Sequence, residues 1–194
     1  ELLSAFLNPE FLAENGFNEE TILAMFIPNT YEFYWNTTAE KIAEKMASEY
    51  KKFWNEERIA KALDKNLTPI QVSVLASIVH KETAKVSERP TIAGVYLNRL
   101  ALNMPLQADP TVIFAMKKES GDFDQIIKRV YSKDTQGTIS PYNTYINQGL
   151  PPGPIAMPDI SAIDAVLNAD KHDYIYFCAS VDKIGYHSFA SNYA

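Results

Sequence analysis

The sequence has little of what several common chemistries need. A lone cysteine, Cys178, excludes an internal disulfide and any multi-cysteine metal site. The three histidines, His80, His172 and His187, give no ligand spacing of the zinc kind, so no metal is expected, and no cofactor motif is present. No basic block occurs, and with a net charge of −6 and a pI near 5.1 no nucleic-acid partner is expected. No apolar run reaches the ~20 residues of a membrane span. Low-complexity linkers and internal repeats are also missing.

Apolar residues make up 46% of the chain, enough for one large domain or a catalytic domain with a smaller companion. Aromatic residues make up 12%, eleven of them Tyr, a composition that suits surfaces stacking flat ligands such as sugars.

The stretch 68–86 carries the strongest local signals. Thr68 is a good N-cap, Pro69 suits the first helical position, and Gln71 falls where a capping box wants an amide. At 100° per residue, Leu75, Ile78, Val79 and Val86 form an apolar stripe with Glu82 in its middle. A carboxyl aimed at the core or a cleft wall loses hydration, which raises its pKa and lets it hold a proton near neutrality. The plain alternative is a Glu at a helix end that snorkels or pairs with a basic residue.

In chain order, 1–27 reads as three short helices. Residues 31–35 then read as an aromatic strand with Tyr31, Phe33 and Trp35 on one face, either core or a sugar-stacking wall. An amphipathic helix over 38–54 and a short helix over 56–65 follow. A helix over 90–102 buries Ile92, Val95 and Tyr96, and its Gly94 marks a close helix approach. Asp109 caps a helix starting at Pro110. Residues 117–139 are polar, with helical character at 123–131. A stiff loop over 140–155 holds four prolines and two glycines, fit to line a groove. A helix over 161–168 and a hairpin of strands at 173–179 and 186–189 complete the pattern. The fold class is α+β, mostly helical, with a small antiparallel sheet and the 68–86 helix lining a groove. Residues 1–66 read as a companion subdomain and 67–194 as the catalytic domain.

Several motifs in fixed order resemble the endolytic murein transglycosylase (YceG-like) family. They are Leu75-Ala76-Ser77-Ile78-Val79 with Lys81-Glu82-Thr83, Ala93-Gly94-Val95-Tyr96-Leu97-Asn98-Arg99-Leu100, and Met104-Pro105-Leu106-Gln107-Ala108-Asp109-Pro110-Thr111-Val112. Tyr142-Asn143-Thr144-Tyr145, Gly149-Leu150-Pro151-Pro152-Gly153-Pro154-Ile155, the expected strand at 173–179 and Gly185-Tyr186-His187-Ser188-Phe189 complete the set. The resemblance is close over 67–194 and looser at Pro28-Asn29-Thr30-Tyr31.

This resemblance implies an enzyme at the periplasmic face of the inner membrane, held by an N-terminal helix absent from this sequence and working with peptidoglycan synthases. Its substrate would be nascent peptidoglycan glycan strands, cut between N-acetylmuramic acid and N-acetylglucosamine to leave a 1,6-anhydro end. It further implies that residues 1–66 end a LysM-like module, and that the acid is the Glu of the Glu-Thr pair, here Glu82. Candidates to orient the sugar are Asn98, Arg99, Gln107, Asp109, Tyr142, Asn143 and Tyr145, with His187 a weaker one; their bland roles are caps, turns and ion pairs. Family members commonly carry Glu-Lys-Glu-Thr, and this chain has His80 at the first position. Helical projection turns His80 to the polar surface, away from Glu82. Two rivals stay open: a lysozyme-type hydrolase using Asp109 as second carboxylate, and a non-catalytic peptidoglycan-binding scaffold.

Overall fold

The computed structural model describes residues 1–192. Among the described residues nine α-helices and one hairpin make an α+β fold: α1 (Leu2–Phe6), α2 (Pro9–Glu14), α3 (Ala39–Phe53), α4 (Glu56–Leu63), α5 (Pro69–Glu82), α6 (Arg89–Ala101), α7 (Asp109–Ser120), α8 (Ser132–Gly137), α9 (Ile160–Leu167), β1 (Tyr176–Ala179) and β2 (His187–Ala190). The strands pair antiparallel with Phe177 opposite Phe189 and Ala179 opposite His187. No helix among the described residues is long and apolar enough to cross a membrane.

The central helix starts as its residues dictate. The Thr68 hydroxyl accepts from the Gln71 N–H at 3.2 Å, and the Gln71 amide oxygen accepts from the Thr68 N–H at 2.8 Å. Its apolar pattern is no stripe, however. Every residue from Val72 to Val79 is buried, because α6, α7 and α9 enclose α5 from several sides. Val86 lies beyond the helix, in a 3-10 turn, and is 55% exposed.

Two apolar clusters hold the molecule. The larger gathers α5, α6 and α9 with Leu106, Tyr142 and Ile155, and takes Ile27, Trp54 and Ala62 from the first 66 residues. The smaller joins Phe6, Leu12, Phe17 and Met25 to the Ala43, Met46 and Ala47 face of α3. Gly153 locks the N-terminal layer to the rest: a Cβ there would stand 1.8 Å from the Glu20 carbonyl oxygen. At Gly94 a close approach does occur, but to the 170–172 segment, not to a helix. A Cβ would meet His172 Nε2 at 2.5 Å and Asp170 O at 2.6 Å.

Three further local expectations fail. Residues 31–35 form no strand; Tyr34 and Trp35 are 85% and 96% exposed, and Tyr31 instead donates its hydroxyl to Ile27 O. The helical turn of the polar segment falls at Ser132–Gly137, not at 123–131. Asp109 is the first residue of α7 and makes no side-chain cap, since its carboxylate is taken by the Tyr145 hydroxyl at 2.6 Å.

Candidate active site

Glu82 is the last residue of α5. Thr83 turns the chain out of the helix with extended backbone (φ −140°, ψ 137°), and its hydroxyl accepts from the Lys85 N–H. The carboxyl therefore sits at the negative end of the helix dipole, where an anion is least welcome. Tyr96, 1% exposed on α6, donates its hydroxyl to Glu82 Oε1 at 2.5 Å. Glu82 keeps some surface open to solvent, yet protein surrounds its carboxyl on nearly every side. Such a group is reachable by a ligand but poorly hydrated.

Burial lifts the Glu82 pKa to about 7; the Tyr96 hydrogen bond pulls the other way, the Asp109 carboxylate adds to the rise, and His187 and Arg99 oppose it. The Tyr96 hydroxyl is held firmly protonated by burial and by the neighbouring Glu82. Tyr145 is likewise raised, by burial and then by Asp109. Glu82 is thus a carboxyl that holds its proton up to near neutrality, the state that acid chemistry on a glycosidic oxygen needs.

The predicted residues separate into two groups. Asp109 and Tyr145 join each other; the Asp109 charge raises the Glu82 pKa, and Glu82 in turn adds to the rise at Tyr145. Gln107, exposed and in left-handed backbone at φ 51°, stands two residues before Asp109 in the turn that leads into α7. The others spend their polar groups on the scaffold. Asn98 donates to the carbonyls of His172 and Tyr174, and Arg99 to those of Ile175 and Leu106. The Tyr142 hydroxyl donates to Glu20 Oε2, and buried Asn143 donates to the carbonyls of Thr135 and Thr138. Arg99 does both, since its charge still reaches Glu82.

Sequence reading missed Tyr96 as a site residue and took it for core. Its hydroxyl was the available signal, because a fully buried tyrosine needs a partner. His80 is half-buried, not a surface residue. Its Nδ1 lies 3.3 Å from Asp159 Oδ2 beside Arg89, too poorly aligned for a hydrogen bond. Burial pushes its pKa down.

The groove that α5 lines lies along its other half. A hollow of about 850 Å³ is walled by Ile70, Gln71 and Val74, by Leu97 and Leu100, and by Leu150, Pro151 and Pro152. Val74 and Glu82 are eight residues apart, roughly 12 Å along the helix. A second hollow of about 890 Å³ lies between α1, α2 and the start of α3. Neither contains Glu82. No group of three or more His, Cys, Asp or Glu among the described residues could hold a metal ion.

A half-buried carboxyl with a pKa near 7 at a helix end, braced by a tyrosine on an α+β scaffold, defines a candidate general-acid site. The chain belongs to the YceG-like family, whose model matches residues 4–194. It is 35% identical over 176 residues to an endolytic murein transglycosylase of Bacillus subtilis, covering 88% of this chain and 46% of the relative. It is 37% identical over 155 residues to one of Streptococcus pneumoniae serotype 2, covering 79% and 27%. A crystal structure of a yceG-like protein from Listeria monocytogenes superposes with a TM-score of 0.78 at 31% identity, covering 98% of this chain and 64% of that one. The chain thus spans less than half the length of the curated relatives it matches.

Proposed function

We propose that this chain carries the catalytic part of an endolytic lytic transglycosylase acting on peptidoglycan glycan strands. One observation carries the reading. Glu82 combines a pKa near 7, restricted hydration and a tyrosine brace, and so can serve first as acid and then as base. Protonated Glu82 gives its proton to the glycosidic oxygen as the bond to the muramic acid anomeric carbon breaks. The ionised carboxylate, steadied by the Tyr96 hydroxyl and by the charge of Arg99, then takes the proton of the sugar's own C6 hydroxyl. That oxygen closes on the anomeric carbon, giving the 1,6-anhydro end. The proton returns to Glu82 and no water is consumed.

Gln107, Asp109 and Tyr145 are the proposed glycan contacts beside the acid. Asn98, Arg99 and Asn143 hold backbone carbonyls and Tyr142 holds the Glu20 carboxylate, and together they shape the strand-binding surface. Work beside peptidoglycan synthases at the periplasmic face of the inner membrane belongs to the same proposal, as does a LysM-like origin for residues 1–66.

The test is mass spectrometry of purified glycan strands after incubation. The chain is expected to generate anhydro ends, and Glu82→Gln to lose about 10²–10⁴-fold in rate. Full activity in Glu82→Gln, or a gain of activity in His80→Glu from a negligible baseline, overturns the assignment of the acid. The nearness of Asp109 to Glu82 favours one second reading, a two-carboxylate hydrolase. Reducing ends in place of anhydro ends would establish it.

A further inference from the structure

Glu88, in the 3-10 turn just after α5, and His187, first residue of β2, lie 99 residues apart in sequence and are tied twice. The His187 backbone N–H donates to Glu88 Oε1 at 2.7 Å, and the ring Nδ1 lies 3.1 Å from Glu88 Oε2. Glu88 is only 7% exposed, so this is no surface ion pair. A carboxylate only accepts, so it places the proton on Nδ1 and leaves Nε2 to act outward. The ring packs perpendicular to Phe177, centroids 5.2 Å apart at 86°, and Phe177 in turn meets Tyr96 at 5.8 Å and 87°. Tyr96 is the residue bonded to Glu82, and His187 is itself close enough to act on the Glu82 carboxyl. Among the described residues Nε2 has no hydrogen-bond partner, and it is not sealed in the interior.

We infer that Glu88 and His187 form a carboxylate–imidazole pair that presents His187 Nε2 beside Glu82 as a hydrogen-bonding group for a hydroxyl or acetamido group of the bound sugar, with Glu88 as its positioning residue. The inference rests on the glycan-cleaving reading above. It adds a contact from the C-terminal hairpin, on a different element from Gln107, Asp109 and Tyr145.

Two side chains separate this role from a structural one. Asn at position 187 can reproduce the Nδ1 contact to Glu88 but offers nothing at Nε2. Gln can place an amide near Nε2. If Nε2 binds the sugar, His187→Asn keeps the thermal midpoint and lowers kcat/KM about tenfold to a hundredfold, while His187→Gln keeps more activity than His187→Asn. Glu88→Gln loses part of the rate in the native background and nothing further on top of His187→Asn. If the pair only staples the hairpin, the order reverses: His187→Asn stays active and His187→Gln falls with its stability. That order overturns the inference, as does full activity in both variants. Glycan-strand affinity measured in the Glu82→Gln background keeps the two proposals apart. Weaker binding on adding His187→Asn supports the contact whichever ends the native chain produces, whereas unchanged binding overturns it. The ends produced by the native chain decide the reaction type alone.

Discussion

At the scale of single residues, Glu82 concentrates the costs and the uses of burial. Its pKa of about 7 lies above the ordinary carboxyl value of 4.5, so the folded state binds a proton that the unfolded state releases between those two values. Stability from this position is complete below about pH 4.5, falls as pH rises, and is fully lost above about 7. Glu82→Gln has no such loss. The variant is expected to gain up to about 3 kcal/mol over the native chain at pH 8 and little at pH 4, read from urea unfolding at both. Equal pH dependence in the two proteins would mean that the carboxyl is well hydrated.

Tyr96 acts on the same equilibrium. Its hydroxyl favours the ionised carboxylate, so Tyr96→Phe raises the Glu82 pKa further. Activity that needs protonated Glu82 declines as pH rises through about 7. In Tyr96→Phe this alkaline limb is expected to move up by about one pH unit, with a lower maximal rate because the carboxylate loses its brace. A pH–rate profile with an unmoved limb would separate Tyr96 from the acid.

At the scale of elements, α6 decides how the 170–175 segment, and with it the hairpin, meets the site. Gly94 lets Asp170 and His172 lie against the helix, Asn98 grips the carbonyls of His172 and Tyr174, and Arg99 grips that of Ile175. These three residues of one helix set the path into β1. Gly94→Ala places a methyl 2.6 Å from a backbone oxygen, which a side-chain shift cannot relieve. A loss of about 1–3 kcal/mol in chemical denaturation is expected, in spite of alanine's better helix propensity. A stabilised Gly94→Ala would show that the 170–172 segment moves away freely.

The helix starts and stops were largely legible, because capping is a contact between residues two or three apart. Thr68 and Gln71 show it, as does Asn8 at the start of α2, whereas α9 starts one residue before the expected Ser161, capped by Asp159. The 31–35 segment was misread for the opposite reason. Alternating aromatics make a strand only when a partner strand is available, and none of the described residues pairs with it.

At the scale of the whole molecule, the N-terminal layer is tied to the larger cluster through Glu20. Lys118 donates to its carboxylate at 2.5 Å and the Tyr142 hydroxyl at 2.6 Å, and these two bonds hold its pKa below the ordinary carboxyl value. Tyr142 is buried in the main cluster, so one side chain belongs to both the core and the latch. Glu20→Ala is expected to cost about 1 kcal/mol and to speed amide exchange in residues 1–26 while leaving α5 protected. Uniform loss of protection would mean that the two clusters unfold as one.

By itself the sequence determined the start of α5, the presence of Glu82 on it, and the mixed fold of helices with one hairpin, while the end of α5 came four residues earlier than the apolar spacing suggested. Those follow from periodicity, caps and turns acting over a few residues. Only the tertiary structure decided that α5 is enclosed on several sides, that Tyr96 reaches Glu82, and that Arg99 and Asn98 serve the backbone. It also decided that Asp109 bonds to Tyr145 and that Glu88 holds His187 from 99 residues away. Such pairings depend on which apolar faces the chain buries together, and burial has no direction along the sequence.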